Sequence, residues 1–252
     1  MSIEESPYLR GPADPDARIW RFMDLPKFLD MLTSMTLYFR RADGFDDLCE
    51  CMPPEDFFQV VQRSDAFGAG VGPHQWLRFC HHTRSEIFLN CWHLSQHESY
   101  AMWKLYAGVD AGIAIKSTFR RLKDVLQMSQ EHCGVGLTNY DTSHLEMNAV
   151  ALAMYKRPHF QYESEVRAMV WRDCQEMFFD MDSSEPLPEP LPARAGPLHV
   201  KVRVEIACLI DEVVLAPWSP PYLGDVLHDI MKAYDFKPSI RVSTINKLFY
   251  AP

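Results

Sequence analysis

Hydrophobic and polar positions along the chain recur with two periods, and the switches between them mark the elements. Ile19–Met23 is a short apolar run that reads as a strand; Leu25, Phe28, Leu29 and Leu32 then follow at helical spacing, with Asp24 at the start and Pro26 in the first turn, where proline fits. Thr36–Phe39 reads as a strand entering a turn at Asp43-Gly44, and Ile87–Trp92 as another strand, followed by a helix over Ser99–Ala107. "GIAIKST" predicts a strand that feeds the helix "FRRLKDVLQM", where Ser117 or Thr118 is a natural N-cap. Later in the chain, Asn148–Tyr155 fits a short helix or strand, and Tyr162–Trp171 a strand. In "HVKVRVEIA", Val200, Val202 and Val204 alternate with Lys201, Arg203 and Glu205, the pattern of a half-buried antiparallel strand. A strand in "DEVVLAP", an amphipathic helix in "PYLGDVLHDIMKAYD" and a strand in "SIRVSTI" complete the tail. Strands that do not alternate strictly with helices imply an α+β class, with a mixed or mostly antiparallel sheet and flanking helices.

Between these elements lie a segment at 55–90 of mixed pattern, with a helix expected over Asp56–Arg63, a loop "FGAGVGP" at 67–73, and a Pro-rich surface loop at 181–197. The loop's G-x-G-x-G has no strand leading into it and a proline after it, so it reads as plain loop rather than a phosphate cradle. Residues 1–18 read as a flexible arm and 19–252 as a single domain.

Composition narrows the function classes. A formal charge of −9 over 252 residues argues against broad binding to duplex DNA or to an anionic membrane. No apolar run approaches the roughly 20 residues of a membrane span, and the acidic, Pro-containing start lacks the pattern of a signal peptide. Seven scattered cysteines fit a reducing compartment, so a cytoplasmic location is expected; the closest pair, Cys49-x-Cys51, has no second pair to complete a structural zinc site.

Three stretches hold candidate chemistry. In "YESEVRAMVW" a strand would place Glu163, Glu165 and Arg167 on one face, with the two carboxylates about 7 Å apart. That pair suits orienting a nucleophile beside a developing cation, or an exposed ladder with Arg167 paired to Glu165. In "NCWHLSQHESYAMWKLY", a helix would bring His93 and His97 together as metal ligands, but the strand before them and the lack of an internal Glu weaken that reading. Ser99, Met102, Trp103 and Tyr106 share a helix face that packs as core or forms the aromatic wall of a pocket. The third is Arg21, within the apolar strand "RIWRF", which calls for a carboxylate or phosphate partner.

Taken together these blocks resemble a family of bacterial proteins known only as a domain of unknown function. Its patterns "lyKYR", "lyfssPxxFNDPFE", "NCWHxxxxESxAMWKLYxxxxxGIAIxST" and "WxYExEyR" correspond here to "IWRFM", "LYFRRADGFDDLCE", Asn90–Thr118 and "FQYESEVR". The chain departs from them at Asp46-Asp47-Leu48 and at Phe160. More remotely, the order of elements is similar to that of mono-ADP-ribosyltransferase folds. These carry an Arg or His on the first strand, a Ser, Thr or Tyr on a middle element, and an E-x-E on a later strand. Arg21, then Ser117/Thr118 or Tyr106, then Glu163-x-Glu165 follow that order.

The resemblance implies an enzyme that consumes NAD as substrate, a transferase or glycohydrolase with a toxin or anti-phage role. Glu165 would stabilise the ribosyl cation and Glu163 would orient the acceptor, whether protein, nucleic acid or water. Arg21, Ser117, Trp103, Tyr106, Asn90, His93, Glu98 and Arg167 would bind the nucleotide, and no metal would be needed. Two alternatives remain open: a metal-dependent nuclease or hydrolase built on His93, His97, Glu98 and Asp46, and a non-catalytic binding module.

Overall fold

A computed structural model describes residues 6–54, 73–108, 111–141, 148–171 and 196–246. The expected helix over Asp56–Arg63, most of the Gly-rich loop and most of the Pro-rich loop lie outside those residues. The architecture is α+β: a mostly antiparallel sheet with helices on both faces.

The first helix forms where its pattern placed it. Strand β1 (Arg18–Asp24) ends on Asp24, whose carboxylate accepts the Lys27 amide at 2.9 Å and so opens α1 (Leu25–Ser34); Met35, at φ 53°, closes it. Strand β2 (Thr36–Arg41) follows, then helix α2 (Pro73–Glu86) and strand β3 (Ile87–Leu94). Helix α3 (Tyr100–Tyr106) is capped by Ser99, and strand β4 (Gly112–Thr118) leads into α4 (Phe119–Gln127), capped by Thr118. Next come β5 (Cys133–Leu137), α5 (Ala149–Met154) capped by Asn148, and β6 (Glu165–Trp171). Strand β7 (His199–Arg203), the short α6 (Ile206–Leu209), β8 (Glu212–Leu215), α7 (Leu223–Ala233) and β9 (Ser239–Val242) finish the described chain.

The strands run in the order β5-β6-β3-β1-β4-β8-β9, with β2 joined to β3 and β7 joined to β2; only β8–β9 is parallel. β3 is the trunk. One of its edges pairs with β6 along its length, from Ile87↔Trp171 to His93↔Glu165. Its other edge is shared: β1 takes Leu94 and His93, and β2 takes Leu89 and Phe88. At Asn90–Trp92 the sheet therefore forks.

Strand alternation sorts the side chains onto two faces. One face carries Ile19, Met23, Trp92, Ile115, Val166 and Val170, packed with Phe28 and Leu32 of α1 and Leu122 and Leu126 of α4 in the main core. The opposite face carries two smaller apolar patches: Trp20 and Phe22 under Met102 and Trp103 of α3, and Leu89 and Met169 under Val150 and Met154 of α5.

Two expectations need correcting, and one strand was not foreseen. The strand expected from Tyr162 starts only at Glu165. Pro158 opens a 3-10 helix to Glu163, and Ser164 reverses the chain in the left-handed region at φ 40°. β3 extends past Trp92 to Leu94, so His93 stands on a strand. β5 escaped notice because glycines at 134 and 136 blur its pattern. Their missing side chains accommodate the N-terminal segment. A Cβ on Gly136 would stand 3.0 Å from the Leu9 Cα, and the Arg10 carbonyl accepts the Leu137 amide at 2.7 Å. Asp16, before β1, also pairs with Arg120 at 2.8 Å.

Candidate functional site

Between the two apolar patches of the outer face lies a buried cluster of charge. Lys156, two residues beyond α5, points its ammonium at Glu163 Oε2 (2.6 Å), Glu165 Oε2 (3.2 Å) and Glu50 Oε2 (3.9 Å). Arg167, fully buried on β6, reaches Glu165 at 3.1 Å and Glu50 at 2.7 Å, and its other terminal nitrogen donates to the Ala153 and Tyr155 carbonyls. Three carboxylates thus meet two cations in direct ion pairs, with the buried Arg84 also close to Cys51 beside Glu50.

Glu163 and Glu165 are not equivalent. Glu165 is 4% exposed and lies deep, its amide donating to the Tyr140 hydroxyl. Burial pushes its carboxyl upward, but Arg167 and Lys156 outweigh it and hold the group at about 2. Glu163 is buried too, at 7% exposed, but one of its partners reaches the surface. Its Oε1 accepts from the hydroxyl of Tyr106, at the end of α3, at 2.8 Å, and Tyr106 is 45% exposed. Burial and then Glu163 raise the pKa of the Tyr106 phenol. The two glutamates do not share a strand face as a continuous strand would have it; the left-handed Ser164 separates them, and Lys156 brings them together again.

His93 joins this outer corner. It lies opposite Glu165 on one side and Trp20 on the other, and its Nδ1 is 2.5 Å from the Glu163 carbonyl. A carbonyl only accepts, so Nδ1 carries the proton. Its ring packs 6.4 Å from Phe22. Cys91 lies opposite Arg167; burial and then Glu165 keep its pKa well above the ordinary thiol value.

The other sequence candidates go elsewhere. Arg21 shares its face with Ile19 and Met23, on the side of the sheet away from Glu165, and its guanidinium lies 5.9 Å from the Trp92 ring. Arg21 and the glutamates therefore do not converge, because His93 and Glu165 are in register with Trp20, one residue out of phase. Ser117 and Asn90 also face the main-core side. Ser117 donates to the Leu209 carbonyl at 2.6 Å, and Asn90 bridges the fork by donating to the Tyr38 carbonyl and accepting from Trp92. Trp103 is core, edge-on to Phe22 at 5.0 Å, and its indole donates to Glu98. Glu98 is further bound by Arg241 at 2.7 Å and by the Ser243 hydroxyl, so it anchors α3 rather than lining the corner. Arg167 is an internal tie between β6, α5 and Glu50. For the metal reading, His93 sits on a strand and His97 in the loop beyond it, while Asp46 is exposed beside Arg40. Among the described residues no three His, Cys, Asp or Glu form a metal-binding group.

Lys156 and Glu50 went unnoticed in the sequence. Lys156 had a signal of a kind, a lone cation directly after the apolar run "AVALAMY"; Glu50, between two cysteines, had almost none.

No protein-family model matches the chain, and no curated protein matches it; the resemblance to a bacterial domain-of-unknown-function family finds no support there. Among solved structures, the chain has a weak likeness to DarT from Thermus sp. 2.9, solved in complex with ADP-ribosylated single-stranded DNA. The TM-score is 0.41 at 10% identity, covering 93% of this chain and 96% of that one.

Proposed function

We propose that the protein is an NAD-consuming enzyme that breaks the nicotinamide–ribose bond, releasing nicotinamide and passing ADP-ribose to water or to another acceptor. The observation that carries this reading is the buried pair of carboxylates, Glu163 and Glu165, drawn together by Lys156 and set beside the exposed Tyr106. Bond cleavage leaves the ribosyl carbon cation-like, and a fixed negative field in a water-poor site stabilises that charge without reorganising. Glu163 faces the reacting sugar. Glu165, deep and held ionised by Arg167 and Lys156, works through Lys156, which holds both carboxylates in place. These roles reverse those implied by resemblance alone, because only Glu163 reaches an exposed neighbour. Arg21 has no part in the site. From the sequence resemblance alone, the reading includes a role as a toxin or defence effector.

The test is direct. Purified protein incubated with NAD, with divalent metals chelated, should release nicotinamide, measured by chromatography, and Glu163→Gln should lower the rate at least about 100-fold. A silent wild-type protein, or full activity in the variant, would refute the proposal; activity that appears only on adding metal would favour a metal-dependent hydrolase.

A further inference from the structure

Transfer of ADP-ribose requires a proton to leave the attacking acceptor, and the cluster's carboxylates are poorly placed to take it. Both oxygens of Glu163 accept hydrogen bonds, one from Tyr106 and one from Lys156. Glu165 is enclosed between Lys156 and Arg167. A carboxylate held by two cations is a weak base; it stabilises charge well and removes protons badly. Lys156 itself is engaged by all three carboxylates.

His93 differs from all of these. Its Nδ1–H is committed to the Glu163 carbonyl, which fixes both the ring's orientation and its tautomer. Its Nε2 keeps its lone pair and is not hydrogen-bonded to a described residue, on a side chain that is itself buried. A main-chain carbonyl orienting an imidazole so that the opposite nitrogen is open is the arrangement a general base needs. The charged and titratable groups gathered around it are Glu165 and Arg167 from β6, Lys156 and Glu163 from the segment after α5, Tyr106 from α3, and Cys91 on its own strand; β1 presents Trp20 and Phe22.

We infer that His93 is the general base of the reaction, taking the proton of the attacking acceptor at Nε2 while Glu163 stabilises the ribosyl cation. This inference rests on the NAD reading above. The step balances as follows. The bond between the ribose carbon and the nicotinamide nitrogen breaks, and its electron pair leaves with nicotinamide. The acceptor's oxygen or nitrogen lone pair forms the new bond to that carbon, and the acceptor's proton moves to Nε2. The imidazolium then returns the proton to water.

His93→Asn is the informative variant, because the asparagine amide keeps a donor for the Glu163 carbonyl and removes the base. With NAD and water as acceptor, its kcat should fall by about 100- to 10,000-fold with KM nearly unchanged. The acid limb of the wild-type pH–rate profile should disappear, and added imidazole should restore part of the rate. A purely structural histidine would produce neither of the last two effects. A wild-type rate and pH profile in His93→Asn, or a loss with no imidazole rescue in a variant that melts like wild type, would overturn the role of His93 while leaving the NAD reading intact. Absence of nicotinamide release by the wild-type protein would overturn both.

Discussion

Glu165 is pulled in two directions, and the balance has a measurable sign. Burial disfavours its charge, yet Arg167 and Lys156 bring its pKa down to about 2 from an ordinary 4.5. A carboxyl whose folded pKa lies below its unfolded one contributes stability that is present above the unfolded value and lost as pH falls through the folded one. The wild-type protein should therefore lose about 3 kcal/mol between pH 4.5 and 2 on account of this group, in order of magnitude. Glu165→Gln should be about 3 kcal/mol less stable at neutral pH, since it leaves two buried cations short of a partner, and should show a flatter stability curve across that acid window. Denaturant titrations at a series of pH values check both; equal slopes would mean Glu165 is not held ionised. At this scale the sequence was informative about residue types. The E-x-E pair, His93 and Tyr106 all belong to the cluster, because charged and aromatic side chains packed so densely need one another when buried. Lys156 could not be paired with them, since its partnership depends on a 3-10 helix and a left-handed serine that no periodicity announces.

Helix α3 delivers Tyr106 to Glu163, and its position depends on one close approach. A Cβ placed on Gly112 of β4 would come within 2.7 Å of the Ala107 carbonyl and 2.8 Å of the Ala107 Cβ, at the very end of α3. Backbone has little room to give, so Gly112→Ala should displace that end of the helix. The expected cost is about 1–3 kcal/mol in thermal or denaturant unfolding. Nicotinamide release should fall with it as Tyr106 moves off Glu163; a variant with wild-type stability would show that the helix end is not fixed there. Most elements were legible because their caps and periods agree, as Asp24, Ser99 and Thr118 illustrate. Strand phase was not. Arg21 lies one residue out of step with the strand position that faces Glu165, and that offset depends on pairing register, which side-chain pattern alone does not specify.

Across the whole molecule, the fork in the sheet leaves an unresolved electrostatic cost. The half-buried Arg21 lies near it beside Trp92, its enclosed Nη1 without a hydrogen bond to a described residue, and burial lowers its pKa to about 10. A cation in that position is carried at the expense of stability. Arg21→Met should therefore unfold at the same temperature as wild type or higher, by about 1–2 kcal/mol, with nicotinamide release unchanged. Marked destabilisation in a melting experiment would reveal a partner for the guanidinium. The trunk strand at the fork has one more consequence, for the order in which the chain becomes competent. His93 meets Glu165 only when β3 has closed a long loop onto β6, while β2 must close a longer one onto β7. Such distant pairings form slowly, because chain entropy is lost before the contacts compensate it. Glu50, His93, Tyr106 and Lys156 come from segments scattered through the chain, so no fragment assembled early in synthesis contains a working cluster. Under the proposed function, a nascent or partly folded copy would therefore leave NAD untouched.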